Sequence, residues 1–189
     1  DDRLPRDQDR LAPHRRVNAQ VIVLAGPSGA GKSRLAERIG LPVLRLDDYY
    51  KSAGDPGLPL IEHGANVAIT GRDEKRTQRA AQELGAMPIT ADVANPADVK
   101  RTFETFMGEY GRLDVLINNA GIGVFKKLED VQPEDFQQVY SVNVFGAAMM
   151  GQQAAEIFKK QKYGNILNIG STAATKGFEG GSVYVSSKV

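Results

Sequence analysis

The sequence predicts an α/β fold of three layers around a doubly wound, mostly parallel sheet. Three observations lead there. Strand-length apolar runs alternate with helical segments from residue 20 onward, the order that builds βαβ units. The first run, Val21-Ile-Val-Leu-Ala25, enters a glycine-rich turn that opens a helix. The chain has 189 residues, 41% hydrophobic and 25% charged, enough for one α/β domain with a sizeable core.

The elements follow in order. Residues 1–18 are mostly Asp, Arg and Pro without an apolar period and read as a disordered tail. Gly26 to Gly31 form the turn, and Lys32 to Ile39 a helix stopped by Gly40. Val43 to Leu46 is a short strand, and residues 51–60, with two Gly and two Pro, are a linker. Val67–Thr70 is a strand, 73–84 a helix and Pro88–Ala91 a strand. The next helix, 96–110, carries Pro96 in the tolerated first turn. Leu113–Ile117 is a strand, 133–161 a long helix with a break near Gly146, and Asn165–Ile169 the last strand.

Composition excludes several classes. A net charge of +1 exerts no strong pull toward nucleic acid or an anionic membrane. The absence of cysteine rules out disulfides and thiolate chemistry and fits a reducing compartment. The longest apolar runs are strand-length and no charged-then-apolar leader opens the chain. The first residue is Asp rather than Met, and a longer gene product is one source of that. The expected location is cytoplasmic.

The constellation richest in chemistry is Tyr184 and Lys188 within YVSSK, with Ser171 and Asn143 upstream. A four-residue spacing puts the phenol and the ammonium on one helix face. A neighbouring cation favours the phenolate, which a tyrosine needs to exchange protons near neutral pH. Ser171 follows a strand end, where active sites of open α/β sheets gather.

These residues do not stand alone. GANVAITGR (64–72), TADV (90–93), DVLINNAG (114–121), SVNVFG (141–146) and NILNIGS (165–171) occur in order, and Ser171 precedes Tyr184 by thirteen residues. From about residue 63 to 189 the chain resembles the short-chain dehydrogenase/reductase (SDR) family, nicotinamide-dependent enzymes with a Rossmann-like sheet. The resemblance implies that Tyr184 is the proton donor or acceptor, that Lys188 favours its phenolate and holds the nicotinamide ribose, and that Ser171 binds the substrate oxygen. It implies that Asn143 distorts the long helix and holds a water in a proton relay. Asn118, Ala120 and Gly121 would line the cofactor near its adenosine ribose, and Asp92 and Val93 would touch the adenine. Arg72 follows the second family strand with no acid at Thr70 or Gly71, which favours NADP over NAD, the alternative being a solvated cation. The family continues past the Tyr-Lys helix into further strands and a substrate loop, so the expectation is a C-terminally truncated member with impaired activity. A homo-oligomer, as in SDR relatives, is left open.

The N-terminal third departs from that pattern. Gly26-Pro-Ser-Gly29-Ala-Gly31-Lys32-Ser33 is a complete phosphate-binding P-loop after a strand and before a helix. Its amides would cradle phosphates, Lys32 would reach the β- and γ-phosphates, and Ser33 would ligate Mg²⁺ if ATP binds. With LPVLRLDDYYK (41–51), residues 20–60 resemble bacterial uridine kinases, in which Asp47 would serve as base. The chain thus reads as a chimera: a tail at 1–18, a kinase-like segment and linker at 19–60, and an SDR segment at 61–189. The kinase strand fills the slot of the missing first SDR strand, giving the order 3-2-1-4-5 in one compact domain. The expected activity is hydride transfer between NADP(H) and a carbonyl or alcohol. The alternatives are a P-loop ATP-binding module related to nucleoside kinases, or a non-catalytic nucleotide-binding hybrid.

Overall fold

The computed structural model describes residues 20–24 and 65–189, the former as a backbone strand. The P-loop residues Gly26, Gly29, Gly31, Lys32 and Ser33, the base candidate Asp47, the strand expected at 43–46 and the linker therefore lie outside the described residues.

Five parallel strands form the sheet: β1 (Gln20–Leu24), β2 (Asn66–Gly71), β3 (Met87–Thr90), β4 (Val115–Asn118) and β5 (Asn165–Asn168), in the order β3-β2-β1-β4-β5. β1 lies at the centre, with Val21 in register with Val67 of β2 on one side and Val115 of β4 on the other. The strand order matches the expectation. β2 and β4 alternate their side chains between two cores, as the two-residue period requires. Val67 and Ile69 of β2 join Ile117 of β4 and Ala81 on one face. Ala68 and Leu116 join the core of the opposite face.

Helices cover both faces. Helix α1 (Glu74–Leu84) starts at Asp73, whose carboxylate accepts the Arg76 N–H at 2.9 Å, and ends at Gly85 in the left-handed region at φ 66°. Its Ala81 packs on the Val67 face. Helix α2 (Pro96–Tyr110) is capped by Asn95 and stopped by Gly111. It buries Val99, Phe103 and Phe106 in the opposite core with Met150 and Ala154 of α4 (Ala147–Gln161). Gln161, at the end of α4, clamps Leu113 ahead of β4, with its carbonyl accepting the Leu113 N–H at 3.0 Å and its amide donating back at 2.6 Å.

The long helix expected at 133–161 exists in three parts: α3 (Pro133–Tyr140), a π-helical stretch (Ser141–Gly146) and α4. Gly146 permits the close approach there, since a Cβ would lie 3.1 Å from the Val93 carbonyl oxygen. Past β5 come a single 3₁₀ turn (Thr172–Ala174) and the short helix α5 (Ser182–Ser186). β5 is the outer strand, with Ile166 and Leu167 exposed.

Candidate active site

The C-terminal ends of β2, β3 and β4 open into one recess. Its walls are Thr70 and Gly71 at the end of β2 with Arg72 beyond, Ala91, Asp92 and Val93 after β3, and Ala120, Gly121 and Ile122 after β4, with Val142 of the π stretch. This is the position at which open α/β sheets bind ligands. Gly71 has no room for a side chain, because Thr77 of α1 occupies the space a Cβ would need. The Thr77 hydroxyl is held by the Asp73 carbonyl at 2.7 Å. Arg72 is exposed at the rim. Asp92 caps its own turn, accepting the Ala94 N–H at 2.9 Å, while its N–H donates to the Asp98 carboxylate at 2.8 Å. That amide bond, then the Arg101 guanidinium at 2.6 Å, holds the Asp98 carboxyl below the usual carboxylate range.

Asn118 faces elsewhere. It shares a strand face with Leu116, so its side chain points to α4: the amide donates to the Ala147 carbonyl at 3.2 Å and to Asn168 Oδ1 of β5 at 2.9 Å. Its own Oδ1 is buried without a hydrogen-bond partner.

Asn143 organises the far end of the site from the π stretch. Its Oδ1 accepts the Ile122 N–H at 2.8 Å, and its amide donates to the Ile122 carbonyl at 2.9 Å and to Ser187 Oγ at 2.8 Å. Ser187 in turn donates to the Tyr184 carbonyl at 2.7 Å. The loop after β4, the π stretch and α5 are thus joined through one buried side chain. Ser187 was not singled out by sequence, because its contact with Asn143 spans 44 residues.

Tyr184 and Lys188 rise from this node. The Lys188 ammonium lies 5.8 Å from the Tyr184 ring centroid. A Cβ on Gly121 would be 3.2 Å from Lys188 Nζ and 3.4 Å from Asn143 Oδ1, so a side chain there would crowd the ammonium where the recess meets the Tyr-Lys pair. Ser171 sits at the end of β5 and caps the 3₁₀ turn, its Oγ accepting the Ala173 N–H at 3.1 Å, which leaves the hydroxyl proton to donate. Helix α5 packs against that turn. The residues present fit the two ends of a dinucleotide: a recess at strand ends with a guanidinium at its rim for the adenosine side, and a glycine with an ammonium beyond it for the nicotinamide side. Among the described residues, no His, Cys, Asp and Glu group suits a metal ion, and no helix is long and apolar enough to cross a membrane.

A family model described as short chain dehydrogenase matches residues 58–189. Sepiapterin reductase of Chlorobaculum tepidum is 36% identical over 163 residues, covering 85% of this chain and 64% of that protein. A 3-oxoacyl-[acyl-carrier-protein] reductase of Bos taurus is 34% identical over 131 residues, covering 68% and 55%. The chain spans about half to two thirds of the length of these curated relatives. Among solved structures, 3-ketoacyl-(acyl-carrier-protein) reductase from Brucella melitensis complexed with NADH superposes with a TM-score of 0.68 at 28% identity, covering 90% of this chain and 64% of that one. NAD⁺-bound xylitol dehydrogenase gives 0.69 at 26% identity, with coverages of 90% and 60%.

Proposed function

The chain belongs to the short-chain dehydrogenase family, and from that premise we propose that it moves a hydride between NADP(H) and a carbonyl or alcohol. The observation that carries the reading is the convergence of Lys188 and Asn143 on Gly121, with the Tyr184 ring 5.8 Å from the Lys188 ammonium, beside the recess lined by Arg72, Asp92, Val93 and Ala120. The bound nicotinamide would supply or take up the hydride. In reduction, Tyr184 gives its phenolic proton to the carbonyl oxygen as the alcohol forms, and the phenolate recovers a proton from water. Lys188 stabilises that phenolate electrostatically and reaches the cofactor across Gly121. Ser171 donates its free hydroxyl proton to the same substrate oxygen. Asn143 positions rather than reacts: it fixes Ile122 at the recess and α5 at the Tyr-Lys end.

Support for the phosphorylated cofactor comes from the recess rim. Arg72 stands there, and Gly71 cannot carry a carboxylate because Thr77 fills the space. Two solved relatives instead hold NADH and NAD⁺, which makes the choice a direct question. Residues 19–60 and 61–189 are read as one domain, supported by β1 pairing on both edges with strands of the later segment. Exposed Phe136 and Phe145 supply apolar surface for a second copy and support a homo-oligomer. The deciding measurement is a titration of the full chain with NADPH, NADH and ATP-Mg²⁺. NADPH binding tighter than NADH supports the reading. Binding of ATP-Mg²⁺ with neither nicotinamide cofactor would replace it with the P-loop alternative.

A further inference from the structure

Two large rings lie exposed beside the proton donor. Phe125, in the loop after β4, and Phe178, in the turn before α5, are 61% and 49% exposed. Leaving such rings in water forgoes burial that would stabilise the chain, so exposed aromatic clusters mark contact surfaces. Here the cluster is continuous with the reactive side chain. The Phe125 ring centroid lies 5.7 Å from that of Tyr184, at 58°, and 5.9 Å from that of Phe178, at 41°. The three rings form a row that starts at Tyr184.

The backbone is arranged to hold the row in place. A Cβ on Gly123 would lie 2.6 Å from Phe125 Cζ and 3.3 Å from Tyr184 Cδ2, and one on Gly181 would lie 2.5 Å from Phe178 Cε2. Each phenyl ring therefore rests on a glycine. The two loops are tied by the Lys126 N–H, which donates to the Gly180 carbonyl at 3.0 Å. Gly180 takes the left-handed region at φ 72° to make that approach. The Lys126 ammonium is engaged by both Asp135 carboxylate oxygens at 2.8 Å.

We propose that Phe125 and Phe178 set the substrate class, selecting carbonyl compounds that carry an aryl or comparably flat apolar group beside the reacting carbon. This rests on the hydride-transfer reading. A carbonyl oxygen hydrogen-bonded to Tyr184 places its substituent along the row, where offset or edge-on ring contacts stabilise a flat group and offer a small polar one nothing.

The experiment uses the full chain and two probes, acetophenone and 2-butanone. NADPH oxidation gives kcat/KM for each ketone, and saturation-transfer NMR with NADP⁺ present reports ketone binding. Wild type should favour acetophenone, and the Phe125→Ala/Phe178→Ala protein should lose about ten-fold or more of that preference. The Phe125→Leu/Phe178→Leu protein keeps apolar volume without a flat face, covers the case in which the alanine protein does not fold, and should also lose preference. An unchanged ratio in the folded variants, or no acetophenone binding to wild type at millimolar concentration, would overturn the proposal. Acetophenone binding that depends on both rings, with neither ketone reduced, would uphold the aromatic row and refute hydride transfer.

Discussion

Asn143 has every side-chain hydrogen bond the site needs already made, two to Ile122 and one to Ser187. It is a fixed strut, and Ser187 is the hinge pin through which it reaches Tyr184. Ser187→Ala removes an acceptor from a buried amide and a donor from the Tyr184 carbonyl, so it should destabilise the fold by about 1–3 kcal/mol, read as a lower urea midpoint. Tyr184→Phe should leave NADPH binding nearly intact and lower turnover by ~10²–10⁴-fold, the worth of a positioned proton donor. A variant that kept most of the wild-type rate would remove Tyr184 from the mechanism. Arg72→Asp should weaken NADPH binding by about ten- to hundred-fold, the loss of a charge-assisted contact, and weaken NADH far less. Equal losses by calorimetry would leave Arg72 a surface charge. At this scale the sequence was a good guide to which residues gather and a poor one to where they point. Asn118 was expected beside the cofactor, yet the strand alternation it shares with Leu116 turns it toward α4. Ser187 was hidden because its partner, Asn143, lies on another element and no local period reports such a contact.

Among the elements, the long helix departs most from the periodic pattern. The sequence places the break near Gly146, and the backbone has already widened into a π-helix from Ser141. A π stretch leaves little mark on an apolar period, because it adds a single residue to a turn. Gly146 was legible as a helix interruption, and the reason for it was not: Val93, from the loop after β3, fills the space beside it. Gly146→Ala should therefore push that loop outward and cost about 1–3 kcal/mol by overpacking, measurable by urea unfolding. Helices α1 and α2 ended where expected because Asp73, Asn95, Gly85 and Gly111 are local signals with a local mechanism.

Across the whole molecule, the alternation of strands and helices gave the parallel α/β class, while the strand order, with β1 between β2 and β4, followed from the family resemblance. Two aspartates give the fold a pH dependence on the acid side. Asp98 is held low by the Asp92 amide and Arg101, and Asp135 by Lys126 and the Gln132 amide. Both carboxyls sit below their ordinary value of 3.8. Their contribution is thus complete above that value and is withdrawn as the pH falls through the lower folded values. The urea midpoint should drop as the pH falls below about 4, and the slope should flatten in Asp98→Asn and Asp135→Asn. A slope unchanged in both variants would assign the acid sensitivity to other groups.

The central position of β1 also bears on how the chain reaches this state. Val21 is made before Val67 and Val115, yet it pairs with Val67 on one side and Val115 on the other. Until the second of these emerges, β1 has one partner at most and its other edge is open. Pairings so distant along the chain pay their loop-closure entropy before any contact rewards it, which places folding in the slower, millisecond-to-second regime. A nascent chain halted before residue 115 would present an apolar strand edge to chaperones, and release from them should follow synthesis of β4.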